Sequence, residues 1–358
     1  MDPPCDMLAL TFDESVAAFK RHFGRGRFHA AAAFRALYRE FNLSFWEAEE
    51  FRSTAGLAQA VARGTVAAPG EIVDEGAVDG VVKFITRLAD GEEIESVLLP
   101  MKTHRTLCVS SQVGCRMGCR FCETAKMGLR RQLSVAEIVG QVFNARRRYG
   151  ENIRNVVFMG MGEPFDNFDT VVQAIRVLND QRGLDIALKF ITVSTVGRVD
   201  GIRRLAALGM PLLKLAVSLN AARDDLRSHL MPVNRSVPLA ALQRALVEYP
   251  MRSDYTLMVG YVLIPGVNDT PEDAVALADF VAPLPVKVNL IAFNPGTSAP
   301  YRAPDDDEIT AFRNRLIAAR VQVQPRPPRG RDLMAACGQL GALRRPDRFA
   351  GTLNDNRS

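Results

Sequence analysis

Apolar and polar positions along this 358-residue chain fall into three regimes. Residues 15–23, 30–40 and 45–63 place Ala, Phe and Leu at helical spacing, with Gly24, Gly26 and Asn42 as breakers, so 1–75 reads as a small helical accessory domain. Next, the apolar runs 81–85 and 94–99 flank Asp90-Gly91, the signature of a hairpin, and 76–103 reads as a β-hairpin connector. From His104 onward, short β-rich runs alternate with helical stretches. Strands are predicted at 106–110, 155–159, 190–194, 213–218, 256–263 and 287–292, with helices at 135–147, 168–179, 199–207, 239–247, 271–280 and 307–319. This alternation over 104–343 predicts an α/β fold, and periodicity alone allows either an open sheet or a partial barrel. The tail 344–358 reads as a frayed extension.

Composition narrows the class. With 47% hydrophobic and 24% charged residues the chain is an ordinary globular one, and no apolar run approaches the roughly 20 residues that span a bilayer. Met1-Asp2-Pro3-Pro4 carries neither a basic nor an apolar signal region, so a cytoplasmic protein with no membrane partner is expected. The net charge of +5 rests largely on Arg, in clusters at 130–131, 146–148, 203–204 and 326–331. Each cluster alone fits a solvated helix face; together they make a polyanion such as RNA a reasonable partner.

The cysteines carry the sharpest chemical signal. Six occur, and three lie together in Cys115-Arg-Met-Gly-Cys119-Arg-Phe-Cys122, a loop after the first strand of the α/β region. Three thiolates at this spacing each suit one iron of a [4Fe–4S] cube and leave the fourth iron without a protein ligand. A substrate's amino and carboxylate groups can chelate that iron, and an electron can then pass to a bound sulfonium. The rival on residues alone is a zinc knuckle lacking its fourth ligand, and no His stands at a zinc-finger spacing. One βα unit later comes Phe158-Met-Gly-Met-Gly-Glu163-Pro164, whose glycines admit a ligand close to the backbone and whose Glu163 can accept from an ammonium. Polar residues at later strand ends, Ser194, Ser218, Asn220 and Asn294, stand where α/β folds place ligands, although each alone would serve as a helix cap. Cys108 reads as a buried structural thiol, and Cys337 as a thiol that nearby Arg residues would activate by lowering its pKa.

Several motifs occur together in one order: Leu107-Cys-Val-Ser-Ser-Gln-Val-Gly-Cys115, the Cys triad, Gly160-Met-Gly-Glu-Pro164, Val193-Ser-Thr-Val-Gly197, Met231-Pro-Val-Asn234, Gly266-Val-Asn-Asp269 and Ala335-Ala-Cys-Gly-Gln-Leu340. In this the chain resembles the RlmN/Cfr family of radical-SAM RNA methyltransferases over roughly residues 93–340. Phe34-Arg-Ala-Leu-Tyr more faintly resembles that family's RNA-binding accessory domain. The resemblance implies a partial (β/α)6 radical-SAM barrel, one [4Fe–4S] cluster per chain on Cys115, Cys119 and Cys122, and two molecules of S-adenosylmethionine per turnover. It implies contacts to S-adenosylmethionine from Gly162, Glu163, Ser194, Ser218, Leu219, Asn220 and Asn294. It further implies that Cys337 becomes S-methylated, that a 5′-deoxyadenosyl radical takes hydrogen from that methyl, and that the carbon radical adds to an adenine ring. Cys108 would release the product by forming a transient disulfide with Cys337, with Glu95 as proton acceptor.

The implied partners are RNA (23S rRNA, with tRNA as a second target) and an electron donor such as flavodoxin or ferredoxin; a monomer is expected. Methylation at adenine C2 is the leading expectation. Methylation at C8, another radical-SAM substrate, and a non-catalytic zinc-binding RNA protein stand as alternatives. Three departures mark a divergent branch: Asn220 in place of a usual His, Gly260 in place of a common Glu before Tyr261, and Lys126-Met-Gly-Leu after the Cys motif.

Overall fold

The computed structural model describes residues 4–150, 152–252, 255–296, 300–326 and 330–341. The tail read from Arg344 onward lies outside them, as does the boundary at 343.

A capping box opens the first helix: Thr11 Oγ1 accepts from the Glu14 N–H, and the Glu14 carboxylate accepts from the Thr11 N–H. This helix, α1 (Phe12–Phe23), packs with α2 (Arg27–Tyr38) and α3 (Ala55–Gly64), and the layer is tied by two short parallel strands, β1 (Cys5–Asp6) and β2 (Thr65–Val66). The single helix predicted over 45–63 is instead two 3-10 turns, Phe45–Glu47 and Glu49–Phe51, followed by α3. Phe45 and Phe51 are both fully buried. Six residues apart, they would point in well-separated directions from one α-helix, so the break at Ala48 lets both face the core.

The main sheet begins with three antiparallel strands, β3 (Glu71–Val78), β4 (Val81–Arg87) and β5 (Glu93–Pro100). The predicted hairpin is β4–β5. It does not stand apart as a connector, because β5 pairs directly with β6 (Arg105–Cys108), and β3 starts inside the stretch read as helical. The β3–β4 turn holds Asp79 and Gly80 at φ 51° and 76°, the two-residue turn that Asp-Gly favours. After β6 a small hairpin, β7 (Gln112–Gly114) with β8 (Leu129–Gln132), brackets the short helix α4 (Glu123–Lys126).

From there the chain winds regularly: α5 (Val135–Tyr149), β9 (Ile153–Phe158), α6 (Phe168–Asn179), β10 (Ile191–Thr195), α7 (Val199–Ala207), β11 (Lys214–Ser218), α8 (Asp224–Leu230), α9 (Leu239–Val247), β12 (Leu257–Leu263), α10 (Pro271–Val281), β13 (Val286–Ala292), α11 (Asp306–Ala318) and β14 (Val323–Arg326). Every predicted strand and helix of this region is present with ends within two residues; α8 and β14 are additions.

Sheet order is β3-β4-β5-β6-β9-β10-β11-β12-β13-β14, and β6 through β14 are parallel. Each new parallel strand is added on the same side of the last, with none of the order reversal of a doubly wound sheet. Right-handed crossovers then put all the connecting helices on one face, and the sheet curls around the other as a partial barrel. The N-terminal layer shares one apolar core with it; Phe41 meets Phe143 edge-on at 5.4 Å, and Asp180 at the end of α6 accepts from the Phe12 N–H.

Arg227 of α8 fastens the strand ends that open onto the barrel mouth. It is fully buried; its Nη2 donates to the Val196 carbonyl after β10 (2.6 Å), Nε to the Leu219 carbonyl after β11 (3.1 Å), and Nη1 to Asn234 Oδ1 (2.8 Å). Burial lowers its pKa to about 10, which still leaves it charged at neutral pH. Replacing Arg227 by Met would strand three buried acceptors, so urea unfolding should show stability lower by about 3 kcal/mol or more.

Candidate active site

Directly after β6 the segment Ser110-Ser111-Gln112 ties the site to its surroundings. Ser110 Oγ donates to the Glu95 carbonyl (2.7 Å) and accepts from the Met161 N–H (2.9 Å). Gln112 Oε1 accepts from the Glu163 N–H (2.8 Å), which fixes the Gly160–Pro164 turn against the start of the Cys loop. Gly162 holds φ 102°, and a Cβ there would lie 2.6 Å from that of Gln112. Gly114 closes the base of the Cys loop at φ 76°; a Cβ would fall 1.9 Å from the Gly128 carbonyl oxygen, which accepts from the Cys115 N–H. Backbone crossing this close admits only glycine.

Within the loop, side chains alternate. Cys115, Met117 and Cys119 are buried; Arg116, Gly118 and Arg120 are exposed. Cys122 joins the inner set, and the three thiols interact electrostatically. Burial raises all three pKa values, Cys115 to about 12, while Arg227 pulls that of Cys119 down. Among the described residues, no group of three Cys, His, Asp or Glu side chains is disposed to hold a single metal ion. A [4Fe–4S] cube asks for thiolates around a cube rather than converging on one point, and its irons supply the positive charge that buried thiolates need. An all-thiol set, two of whose members line a cavity that also holds a carboxylate, fits such a group.

That cavity, of about 180 Å³, sits at the C-terminal ends of the parallel strands. Around it the structure brings together Cys119, Cys122, Gly162, Glu163, Ser194, Ser218, Asn220 and Cys337. Glu163 is buried, and burial pushes its pKa up to about 7 against the pull of hydrogen bonds from the Val196 N–H (2.8 Å) and Phe165 N–H (3.1 Å). Asn220 holds φ 58°, its Oδ1 accepts from the Val262 N–H and its Nδ2 donates to Met231 Sδ. Leu219, Asn294, Glu95, Cys108 and Cys115 do not line the cavity. Asn294 instead accepts from Arg331 Nε (3.0 Å), and Leu219 is engaged through its backbone.

Cys337 arrives on the C-terminal loop, which is clipped to the Cys loop itself. The Glu123 N–H donates to the Gly338 carbonyl (2.8 Å), and Thr124 Oγ1 donates to the Leu340 carbonyl (2.6 Å). The loop's two ends meet a buried ion pair. Lys83 Nζ lies 3.1 Å from Glu95 Oε2 and donates to the Met334 carbonyl, while Glu95 Oε2 accepts from the Gly341 N–H (2.9 Å). Lys83 was missed from sequence, although a lone Lys in an apolar strand, diagonal to a Glu in the next, was a readable signal. Cys337 is exposed and lines the cavity, and it interacts electrostatically with Cys122 and with the buried Cys108. The expected activation by Arg is only partial. Arg326 pulls the Cys337 pKa down, but burial outweighs it and the net shift is upward.

Lys83→Met would leave Glu95 buried without its cation, loosening both ends of the loop. Alkylation of Cys337 by iodoacetamide should then run about tenfold faster or more; an unchanged rate would show that the ion pair does not hold the loop.

Comparison with known proteins agrees with this geometry. The Radical SAM superfamily matches residues 109–281. A probable dual-specificity RNA methyltransferase RlmN 1 of Protochlamydia amoebophila is 40% identical over 342 residues, 95% of each chain. The dual-specificity RNA methyltransferase RlmN of Geotalea uraniireducens is 42% identical over 335 residues, 91% of this chain and 94% of its own. A radical SAM methyltransferase from Sphaerobacter thermophilus superposes with a TM-score of 0.88 at 38% identity, over 95% of this chain and 100% of that one. With relatives this similar over nearly its whole length, the chain belongs to the RlmN/Cfr family of radical-SAM RNA methyltransferases.

Proposed function

We propose that this enzyme methylates a ring carbon of adenosine in RNA, at C2 in 23S rRNA and also in tRNA, through a methyl group carried on Cys337. The observation that carries the reading is the placement of Cys337 on the wall of the same cavity as Cys119, Cys122 and Glu163, with Cys108 behind it. Cys115, Cys119 and Cys122 would hold one cluster per chain. Glu163, Ser194, Ser218 and Asn220 would hold S-adenosylmethionine from the strand ends, with the Gly162 backbone close by. When bound, these groups supply an electron and a carbon-centred radical able to take hydrogen from a thioether methyl.

The protein's own part follows from the geometry. Ring carbon C2 of adenine is not nucleophilic, so the methyl must be presented on a group that can later let go. The Cys337 sulfur is such a group: it gains a methyl from one S-adenosylmethionine, and a second is used for each turnover. Release requires a partner thiol, and Cys108 is at hand: its sulfur, losing its proton, would bond to that of Cys337, while the electron pair of the breaking carbon–sulfur bond would pass to the base-bound carbon, which takes up a proton and becomes the methyl group. Glu95, joined by hydrogen bonds to the loop that carries Cys337, would take the ring proton.

The N-terminal layer adds an RNA-compatible surface. Arg27 and Arg182 stack over the Phe12 ring at 5.0 and 4.2 Å, beside Arg39 and the exposed Phe28, which offers guanidinium groups for phosphate and rings for a base. An RNA substrate would place the enzyme in the cytoplasm; no helix of the described residues is long and apolar enough to cross a membrane.

Mass spectrometry of nucleosides from a 23S rRNA fragment and a tRNA transcript, treated with reconstituted enzyme, should show 2-methyladenosine in both; 8-methyladenosine alone would overturn the C2 assignment. Cys337→Ala should give no product, and Cys108→Ala should leave RNA joined to the protein on a denaturing gel. Full turnover by both variants would end the methyl-cysteine route. Zinc without iron or sulfide after anaerobic reconstitution would end the cluster reading.

A further inference from the structure

The strict alternation in the Cys loop makes it a wall one residue thick. Cys115, Met117 and Cys119 are buried, with Met117 reaching the outer groove, and Arg116, Gly118 and Arg120 face solvent. Outside the wall runs a groove of about 580 Å³, lined by Arg116 and Met117 on one side and by Arg198, Pro232, Val233 and Ser236 on the other. It shares no lining residue with the cavity that holds Cys337. The thiols therefore have a substrate side and a separate outer side.

The outer side is basic. The Arg116 side chain is 59% exposed, Arg120 reaches the exposed His229, and Arg235 is exposed on the turn that supplies Val233 and Ser236. Arg116 and Arg198 converge on Asp166, a carboxylate almost wholly buried beneath them, and Arg198 also pairs with Asp200. Four guanidinium groups face two carboxylates, leaving a surplus of about two positive charges over the thiols. Gly118 adds no side chain to the wall.

We infer that this groove is the docking surface for an acidic one-electron carrier protein, of the flavin or iron–sulfur class. The inference rests on the proposal that Cys115, Cys119 and Cys122 hold a cluster. An electron must reach that cluster while S-adenosylmethionine and RNA occupy the cavity, and the Arg-studded wall offers the short outer path. One electron leaves the carrier, which is oxidised, and enters the cluster, whose core charge falls from 2+ to 1+; no bond is made or broken. Complementary charge raises the encounter rate and orients the carrier.

The test uses the full chain with its reconstituted cluster and a purified flavodoxin as probe. Flavodoxin affinity should fall by about tenfold or more between roughly 50 and 300 mM salt. Arg120→Glu combined with Arg235→Glu should weaken it by a similar factor and slow cluster bleaching by flavodoxin hydroquinone, while iron content and bleaching by dithionite stay unchanged. If Arg120→Glu impairs cluster loading, Arg116→Glu with Arg235→Glu serves, again judged by flavodoxin affinity. Unchanged flavodoxin affinity in a cluster-loaded variant would overturn the inference, as would a selective loss of 23S rRNA fragment binding, which would make this a face for RNA. Dithionite-driven methylation by the unaltered enzyme reads the proposed function separately, so the two can fail independently.

Discussion

Burial of acidic groups is the constraint on which this site depends. Cys115, Cys119, Cys122, Cys108, Cys337, Glu95 and Glu163 all sit where the surrounding protein raises their pKa, and the proposed chemistry wants most of them ionised. Desolvation of a single carboxylate or thiolate costs several kcal/mol unless opposed. The fold opposes it with a few nearby cations, Lys83 and Arg227 buried and Arg326 exposed, and with aimed backbone N–H groups. Lys83 stands by Glu95, Arg227 by Cys119 and Arg326 by Cys337. Glu163 feels the pull of Arg198 and accepts from two backbone N–H groups. A ligand ammonium is the kind of group its cavity side would welcome.

The same economy explains how distant segments come to meet. Glu95 lies on an antiparallel strand, Cys337 near the C-terminus and Cys122 in the first βα loop, yet hydrogen bonds join all three neighbourhoods. Lys83 and Glu95 satisfy one another and also cap the two ends of the Cys337 loop. An ion pair used only for stability would often be replaceable by packed apolar groups. This one also specifies where a reactive thiol stands.

Much of the winding was legible because its signals are local. Period-2 runs separated by capped helices carry their own boundaries, and Ser134 with Glu137 or Thr270 with Asp273 mark helix starts in the sequence itself. The Asp79-Gly80 turn was equally local, but acidic residues in 71–78 masked the strand before it. Other features depend on who meets whom. Arg227 reads as one more surface charge in a short polar helix, and only the fold shows it inside, bonded to two strand ends. The departures at Asn220 and Gly260 likewise meet only in the fold. Asn220 tolerates the left-handed backbone at the β11 end, and the Gly260 carbonyl accepts the N–H groups of both Leu219 and Asn220. A Cβ at residue 260 would meet nothing closer than 3.7 Å, so its absence there widens the cavity and reflects no backbone need.

Cys337 shows most clearly why chemistry is harder to read than fold. An Arg-rich neighbourhood in sequence argued for an activated thiolate, and one Arg does act that way, but the surrounding protein outweighs it. A thiol kept protonated is poorly suited to random oxidation or alkylation. The upward shift fits a selective role: the cysteine proposed to carry a methyl stands in its less reactive form, on the wall of the cavity proposed to bind S-adenosylmethionine.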